Sequence, residues 1–432
     1  MRPKSVNADA DGEARPGAII LGGAHGSLAI ARSLGRQGIP VWFITDDHPI
    51  TKFSRYCQRS FRWKGPQRET AVSDLIAFAA EHGVAGWVLF AGGDPEVRLV
   101  CQHHAELSAV FRLTTPPWSV ARFAHDKRLT HQRAIETGVD YPWTYYPESA
   151  QELADLECSF PLILKPNFRE RRDPFTSAKA WRVNNRAELL ARYAEAEALV
   201  GREAISLQEL IPGGGAHQYS CAGVWRNGEP VLSMTARRKR QYPIDFGYTS
   251  TCVEVIERPE VEEAACRFLK SLNYDGLVEV EFKYDAREDR YKLLDVNARA
   301  WTWNALGAAA GTDFPLAAYR LAIGQPVARK RSLPGATWYH AARDLVAACH
   351  EIARGDFSSL KPRSGRGPVV FAALCADDPL PGLLDLPLTA WREAARRLTV
   401  GPGRGEAGPT PFPTIPKLPD VAAGVPGARD AA

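Results

Sequence analysis

Acidic side chains alternate with apolar ones between Leu277 and Tyr284. The even positions of this segment are apolar, and its odd positions include Glu279 and Glu281. A period of two is typical of a β-strand with one packed face and one solvated face, so the second face is expected to be acidic. A second strand, from Tyr291 to Asn297, follows the polar turn at residues 285–290. The two segments therefore predict an antiparallel hairpin.

The register of this hairpin decides which polar groups meet. A turn centred on Glu288 places Glu281 directly opposite Asp295, with Cβ atoms about 5 Å apart. Two carboxylates about 4 Å apart repel by roughly 4 kcal/mol at an effective dielectric constant near 20, so a positive group or a proton must lie between them. Strict alternation puts Tyr291, Leu293, Asp295 and Asn297 on this face and Lys292, Leu294 and Val296 on the other.

Asn297 adds a neutral oxygen beside the two acids. Three hard oxygen donors are the ligand set that suits Mg²⁺ bridging substrate phosphates. A solvated hairpin face with no ligand is the alternative that spacing alone leaves open, because a register error of one residue would separate the acids.

Two lysines upstream can supply positive charge. Lys165 ends the apolar run 160–164, so a predicted strand ends in a cation that can reach a phosphate. Lys127 lies in a predicted helix near 118–137, close to the start of the segment 123–137. Each lysine taken alone is equally compatible with an ordinary surface residue.

An apolar strand near 205–211 ends in the turn Pro212-Gly213. A strand break of this kind exposes backbone groups that can pair with the edge of a planar base.

The composition is that of a folded soluble protein. The 432 residues are 45% hydrophobic and 24% charged, with a net charge of +4, which is too small to indicate a nucleic-acid surface. The eight cysteines never lie closer than 14 positions apart, so no Cys-x-x-Cys metal or redox motif is present. Neither an apolar leader nor an 18-residue apolar run occurs, which favours a cytoplasmic protein without a membrane partner.

The first part of the chain alternates strands and helices. An apolar strand at 18–21 is followed by the turn Gly22 to Ser27, a helix and a second strand at 41–44, which predicts a parallel sheet. The turn lacks the dinucleotide-binding fingerprint, because Ala24 and Ser27 stand where glycines are needed, and this disfavours an NAD-linked oxidoreductase. His25 and Ser27 can instead hold a carboxylate, or the glycines simply pack a tight turn. A similar turn at 91–94 should line the same crevice.

Taken in order, these segments resemble the ATP-grasp superfamily, and more narrowly its carboxylate-amine ligases of the D-aspartate ligase-like branch. The resemblance spans about residues 17 to 325. It consists of the strand–turn–helix region, Asp126-Lys127, the segment PLILKP ending in Lys165 and Pro166, QELIPG at 208–213, VEVEF at 278–282 and LLDVNAR at 293–299.

The resemblance implies a fold class of α/β and α+β. A Rossmann-like preATP-grasp domain is expected at 17–115 and a two-subdomain ATP-grasp fold at 116–327. A small C-terminal extension should cover 328–400. Disordered tails are expected at 1–16 and 401–432, the latter rich in Pro and Gly.

The resemblance also implies roles for individual residues. Lys127 and Lys165 correspond to the phosphate-contacting lysines, and the adenine-binding hinge corresponds to Gln208, Glu209, Leu210 and Ile211. Glu281, Asp295 and Asn297 correspond to the metal ligands, expected to hold two Mg²⁺ ions, with Mn²⁺ as the other candidate ion. Arg299 corresponds to an arginine facing the transferred phosphoryl group. Lys239, in the basic cluster 237–240, is assigned to the catalytic groups because a similar region in this branch approaches the active site.

Two departures from the family pattern stand out. Residues 166–200 contain no glycine, although the family covers the phosphates with a Gly-rich loop after the strand lysine. Four cations there, at 169, 171, 172 and 179, can replace the backbone donors or form a solvated loop. Asp295 also stands where Glu is common.

These observations predict an ATP-dependent ligase that joins a small carboxylate and an amine through an acyl phosphate. The resemblance implies that both substrates are amino acids. An ATP-binding regulatory protein of the same fold without ligase activity is the alternative, and the missing glycines favour it. The basic cluster at 237–240 is expected to meet phosphate or an acidic substrate, rather than nucleic acid or bulk solvent. Dimers are common in the family, and the sequence leaves the oligomeric state open.

Overall fold

The computed structural model describes residues 15–167, 173–178, 180–242, 249–355, 357 and 367–399. Residues up to Leu388 form one compact unit, and a second unit starts at Thr389. Most of both predicted tails, 1–14 and 401–432, lies outside the described residues, as do 168–172 and 179 of the glycine-free loop. None of the helices in the described part is both long and apolar enough to cross a membrane.

The first sheet is parallel, as the alternation of strands and helices predicts. Its five strands lie in the order β3-β2-β1-β4-β5. They are β1 (Ala18–Leu21), β2 (Val41–Thr45), β3 (Arg59–Arg62), β4 (Val88–Ala91) and β5 (Arg112–Leu113). The helices of this region are α1 (His25–Arg36), α2 (Ala71–His82), α3 (Asp94–Gln102) and α4 (His104–Ser108).

The predicted helix at 118–137 is two helices, α5 (Trp118–His125) and α6 (Lys127–Glu136). Asp126 separates them in an extended conformation, and its carboxylate accepts the backbone N–H of Arg128 at 2.9 Å. An aspartate in this position caps the second helix. Lys127 is consequently the first residue of α6.

The second sheet is a four-stranded antiparallel layer with its own core. Its strands lie in the order β6-β9-β7-β8. They are β6 (Thr144–Tyr145), β7 (Leu162–Pro166), β8 (Trp181–Val183) and β9 (Ile205–Glu209). The helices are α7 (Ala150–Asp155), α8 (Pro174–Ala178) and α9 (Arg186–Val200). Buried Leu164, Tyr193 and Leu207 lie in a hydrophobic cluster formed by this layer.

The third sheet has eight strands and contains the predicted acidic hairpin. Its main path is β14-β13-β10-β11-β12-β16-β17, and β15 pairs with β11. The strands are β10 (Gln218–Arg226), β11 (Glu229–Tyr242), β12 (Thr249–Ile256), β13 (Gly276–Asp285), β14 (Arg290–Asn297), β15 (Lys330–Arg331), β16 (Thr337–Tyr339) and β17 (Val369–Phe371). The helices are α10 (Pro259–Ser271), α11 (Ala305–Ala309), α12 (Phe314–Ala322), α13 (Ala341–Ala353) and α14 (Pro379–Thr399).

Strand β11 was not expected, because its second half is the basic cluster and was interpreted by charge alone. It pairs with β10 through the two-residue turn Asn227-Gly228. Both turn residues have positive φ, 50° and 73°, which is the geometry of a type I′ hairpin and the reason for an Asn-Gly pair.

The first and third sheets share their core. Ile19 and Leu89 of the first sheet belong to the same buried cluster as Val278 and Phe282 of the third. A second cluster likewise joins Phe43 to strands of the third sheet. The two sheets therefore support each other, and the domain boundaries expected at 115 and 327 stay predictions.

The C-terminal extension packs on α1. Arg32, 6% exposed, donates to Asp378 at 2.9 Å and to the carbonyl of Ala373 at 2.7 Å. Ser54 donates to the same aspartate at 2.7 Å. Because a buried guanidinium needs a partner, the packing of α1 depends on residues of the extension.

Candidate active site

The predicted pairing of the acidic hairpin is confirmed. Glu281 lies opposite Asp295, and Glu279 lies opposite Asn297. Leu294 is an extra residue in β14, so that Phe282 pairs with Leu293 instead. The expectation that Tyr291 and Leu293 share the acidic face is therefore wrong, because a β-bulge reverses the alternation from this point.

Positive groups lie against the acidic face, as repulsion between its carboxylates requires. Arg238 Nη2 lies 3.2 Å from Glu281 Oε2, and Lys127 Nζ lies 3.4 Å from Asp295 Oδ2. Asn297 donates its amide to Glu281 at 3.0 Å and to Glu279 at 3.2 Å. All three predicted metal ligands and one predicted phosphate lysine are thus brought together by β13, β14 and α6.

Glu279 is a member of this cluster that the sequence reasoning noted but did not assign. It is 3% exposed and accepts a hydrogen bond from Ser220 at 2.9 Å. Burial and the neighbouring Glu281 charge raise the pKa of Glu279 to about 8. Its position two residues before Glu281 on the same face was the signal that could have identified it.

Lys165, the other predicted phosphate lysine, contacts β9, the strand that leads into the predicted adenine-binding hinge. Lys165 Nζ donates to Gln208 Oε1 at 3.1 Å, and Gln208 Nε2 donates to Thr144 Oγ1 at 2.9 Å. His131, on α6, is 6% exposed. Burial, together with the charges of Lys165 and Lys127, lowers the pKa of His131 to about 3. Both predicted phosphate lysines therefore act electrostatically on one neutral imidazole.

Glu209 connects the second and third sheets. Its carboxylate accepts the backbone N–H of Trp143 at 3.0 Å, Lys292 Nζ at 2.7 Å and Arg287 Nη2 at 2.6 Å. Lys292 also donates to Asp285 at 3.0 Å. The Glu209 carboxylate is engaged in this ion network, and Leu210 and buried Ile211 follow it directly along the chain.

Arg299, two residues after the end of β14, links this strand to the first sheet. Its guanidinium pairs with both carboxylate oxygens of Asp94, and its Nη2 lies 3.4 Å from Asn297 Oδ1. Asp94 belongs to the turn after β4. The turns after β1 and β4 lie side by side, since a Cβ on Gly92 would approach the carbonyl oxygen of Gly22 to 2.6 Å. The two turns are adjacent, as predicted, and the crevice that they should line stays a prediction.

Lys239 is not brought to the acidic face. Its Nζ lies 3.8 Å from the carboxylate of Glu254, whose cross-strand partner is Arg237. Arg237 in turn lies opposite Tyr219, which pairs with Phe282 of the core. The structure thus places Arg238, rather than Lys239, beside Glu281, and a catalytic role of Lys239 stays a prediction.

Comparisons with known proteins bear on the fold of the chain. The profile of the family described as carbamoyl-phosphate synthase L chain, ATP binding domain, matches residues 247–330. This range contains β13, β14 and Arg299. A search of curated protein sequences finds no significant match.

Solved structures with a similar fold include two carboxylases and one ligase. Pyruvate carboxylase from Rhizobium etli superposes with a TM-score of 0.54 and 14% identity over 72% of this chain and 28% of that chain. The biotin carboxylase–β,γ-ATP complex from Campylobacter jejuni gives 0.58 and 15% identity over 74% of both chains. L-amino acid ligase from Bacillus licheniformis gives 0.54 and 15% identity over 71% of this chain and 74% of that chain. The chain has the ATP-grasp fold, as the sequence predicts.

Proposed function

We propose that this protein is an ATP-dependent carboxylate-amine ligase. The observation that carries the proposal is the acidic face of the β13–β14 hairpin, with Glu281 and Asp295 opposite each other and Lys127 and Arg238 against them. A pure scaffold gains nothing from holding two carboxylates in mutual repulsion. A nucleotide-handling site needs both the acids and the cations.

The residues present fit Mg²⁺. Glu281, Asp295 and Asn297 offer hard oxygen donors from neighbouring positions of one face. Glu279 lies beside them, and burial together with the Glu281 charge raises its pKa. These residues would hold the metal, and buried Glu279 would lose its proton to complete the set. Bound Mg²⁺ supplies charge neutralisation at phosphate oxygens.

The chain's own cations position the nucleotide. Lys127 and Lys165 act as point charges toward the phosphates, and the segment from Gln208 to Ile211 offers its backbone to the adenine edge. The Glu209 carboxylate serves by holding that segment against β14 through Lys292. Arg299 lies where it can stabilise charge on the transferred phosphoryl group and on the acyl phosphate.

The reaction needs no protein nucleophile. The substrate carboxylate attacks the γ-phosphorus of ATP, giving an acyl phosphate and ADP. An amine then attacks the acyl carbon and phosphate leaves, so an amide forms. The crevice between the turns after β1 and β4 adjoins Arg299 through Asp94, and we assign the acid substrate to it. Small amino acids are the proposed substrate class, in line with the name of the L-amino acid ligase of the same fold.

The direct test is release of ADP and phosphate from ATP with Mg²⁺, across amino acids and small carboxylates offered singly and in pairs. We expect release that depends on one particular acid together with one particular amine. Tight ATP binding with no substrate-stimulated release would favour the regulatory alternative and refute the ligase.

Variants of the hairpin test the site itself. Glu281→Gln and Asp295→Ala should each lower turnover by about 100-fold or more, because each removes a carboxylate that would hold Mg²⁺ at the phosphate oxygens. Asp289→Asn is the matched control, since Asp289 lies in the exposed hairpin turn with φ of 55°, which asparagine tolerates. Unchanged turnover in folded Glu281→Gln would contradict the assignment.

A further inference from the structure

A cluster of metal-binding residue types lies apart from the acidic hairpin. His25 begins α1, His340 follows β16, and Asp385 lies on α14. One ligand atom from each of these three residues lies within 4.8 Å of the others. They are separated by up to 360 positions in the chain, so only the folded structure assembles them.

All three side chains are buried. His25 is 4% exposed, His340 is 1% exposed and Asp385 is 7% exposed. Burying two imidazoles and a carboxylate at one point is costly unless each polar atom finds a partner. Such a cluster therefore requires an explanation in terms of what compensates its burial.

The hydrogen bonding leaves His340 uncompensated. His25 Nε2 lies 2.8 Å from Asp385 Oδ1, so these two residues satisfy each other. Among the described residues, neither ring nitrogen of His340 has a hydrogen-bond partner. Its Nε2 lies 4.0 Å from Asp385 Oδ2, which is too far for a hydrogen bond.

The distances bracket those of a tetrahedral metal site. Around Zn²⁺ with ligands at about 2.0 to 2.1 Å, neighbouring donor atoms lie about 3.3 Å apart. The two separations from Asp385 oxygens, 2.8 Å to His25 and 4.0 Å to His340, fall on either side of that value. The carboxylate lies between the two rings, with one oxygen toward each. A small shift of the carboxylate gives one nitrogen from each ring and one carboxylate oxygen around one centre, the three protein donors of a zinc site whose fourth position is open.

We propose that His25, His340 and Asp385 form a buried site for a divalent transition metal, with Zn²⁺ as the best match to imidazole and carboxylate donors. The metal would partner the ring nitrogen of His340 and fasten α14 to the start of α1. Nearby contacts already join these parts of the chain, since Arg36 and Arg32 of α1 pair with Asp377 and Asp378 just before α14. The proposal does not rest on the proposed ligase reaction, although His25 belongs to the turn after β1, beside the crevice assigned to the acid substrate.

The test is metal content of the full-length protein. The purified chain is stripped with a chelator, titrated with Zn²⁺, dialysed and analysed by inductively coupled plasma mass spectrometry. We expect about one tightly held Zn²⁺ per chain. Absence of retained metal in the folded wild-type protein would overturn the proposal.

Three variants locate the metal. His340→Ala and Asp385→Asn should each weaken Zn²⁺ binding by about tenfold or more, because each removes a ligand. His103→Ala, which removes an exposed imidazole, and Glu281→Gln, which alters the acidic hairpin, should retain the Zn²⁺. Retention by folded His340→Ala and Asp385→Asn, or loss in Glu281→Gln alone, would refute this location.

Cobalt substitution provides a readout that does not depend on stability. Co²⁺ in a four-coordinate site gives intense visible absorption, whereas six-coordinate Co²⁺ absorbs weakly. We expect the intense spectrum in the wild type and in His103→Ala, and its loss in His340→Ala. Near-ultraviolet circular dichroism of each variant verifies that the tertiary structure is intact. A weak six-coordinate spectrum in the wild type would contradict the tetrahedral site.

Discussion

Glu96 should make the stability of the protein fall as the pH rises toward neutrality. It lies in the first turn of α3 and is 6% exposed. Its carboxyl occupies the space that a Cβ on Gly22 or Gly93 would take, so it is enclosed by both glycine turns of the crevice. Burial, with Asp46 and Asp94 nearby, raises the pKa of Glu96 from 4.5 to about 7.

The sign and size of the effect follow from proton linkage. Between these two pKa values the unfolded chain has released the proton and the folded chain retains it, so the free energy of unfolding decreases with rising pH. At about 1.4 kcal/mol per pH unit, the decrease amounts to about 3 kcal/mol by pH 7 and then levels off. The substitution Glu96→Gln keeps the side chain neutral and removes this decrease.

Urea denaturation at several values between about pH 4 and about pH 8 provides the measurement. We expect Glu96→Gln to match the wild type at the acidic end and to exceed its free energy of unfolding by about 3 kcal/mol at the basic end. Glu69→Gln, an identical change at an exposed position of the same region, should show no such divergence. A constant difference between Glu96→Gln and the wild type across the series would refute the reasoning.

Two further substitutions test the site and the core. Lys165→Met should weaken Mg-ATP binding about tenfold or more, because a phosphate-directed charge is lost; isothermal titration calorimetry measures this, and an unchanged dissociation constant would remove Lys165 from the site. Phe282→Ala should lower the free energy of unfolding by about 3 to 5 kcal/mol, because Phe282 is 0% exposed and fills the shared core. A loss below about 1 kcal/mol in urea denaturation would show that the cluster collapses around the cavity.

The acidic hairpin could be predicted because its information is local. Alternating residues specified the two strands, and the polar turn between them specified an antiparallel hairpin. The bulge at Leu294 carries no such local signal, and it lies between the turn and Asp295. The turn itself pairs Asp285 with Arg290, half a position away from the predicted centre at Glu288, and the extra residue Leu294 offsets this difference. The paired acids were therefore predicted correctly, whereas the positions of Tyr291 and Leu293, on the turn side of the bulge, were not.

Strand β11 shows information that was present and overlooked. Asn227-Gly228 between two apolar segments is a strong hairpin signal, and it would have extended the sheet into the basic cluster. Alternation along that strand separates Arg238 from its neighbours and places it toward Glu281. Charge counted without strand direction cannot make this distinction.

The buried cluster of His25, His340 and Asp385 could not be predicted. These residues lie in three distant segments, and none of the segments has a pattern that points to the others. Only the packing of the C-terminal extension on α1 brings them together. Three-dimensional proximity of this kind leaves no periodic trace in a single sequence.

The docking of the extension on α1 constrains the order in which the molecule can be completed during synthesis. Arg32 is made early, yet its buried partner Asp378 leaves the ribosome more than three hundred residues later. Until then the guanidinium has either to stay hydrated or to be buried without its counter-charge, which is costly. Helix α1 therefore reaches its final packing only after the segment around Asp378 has emerged.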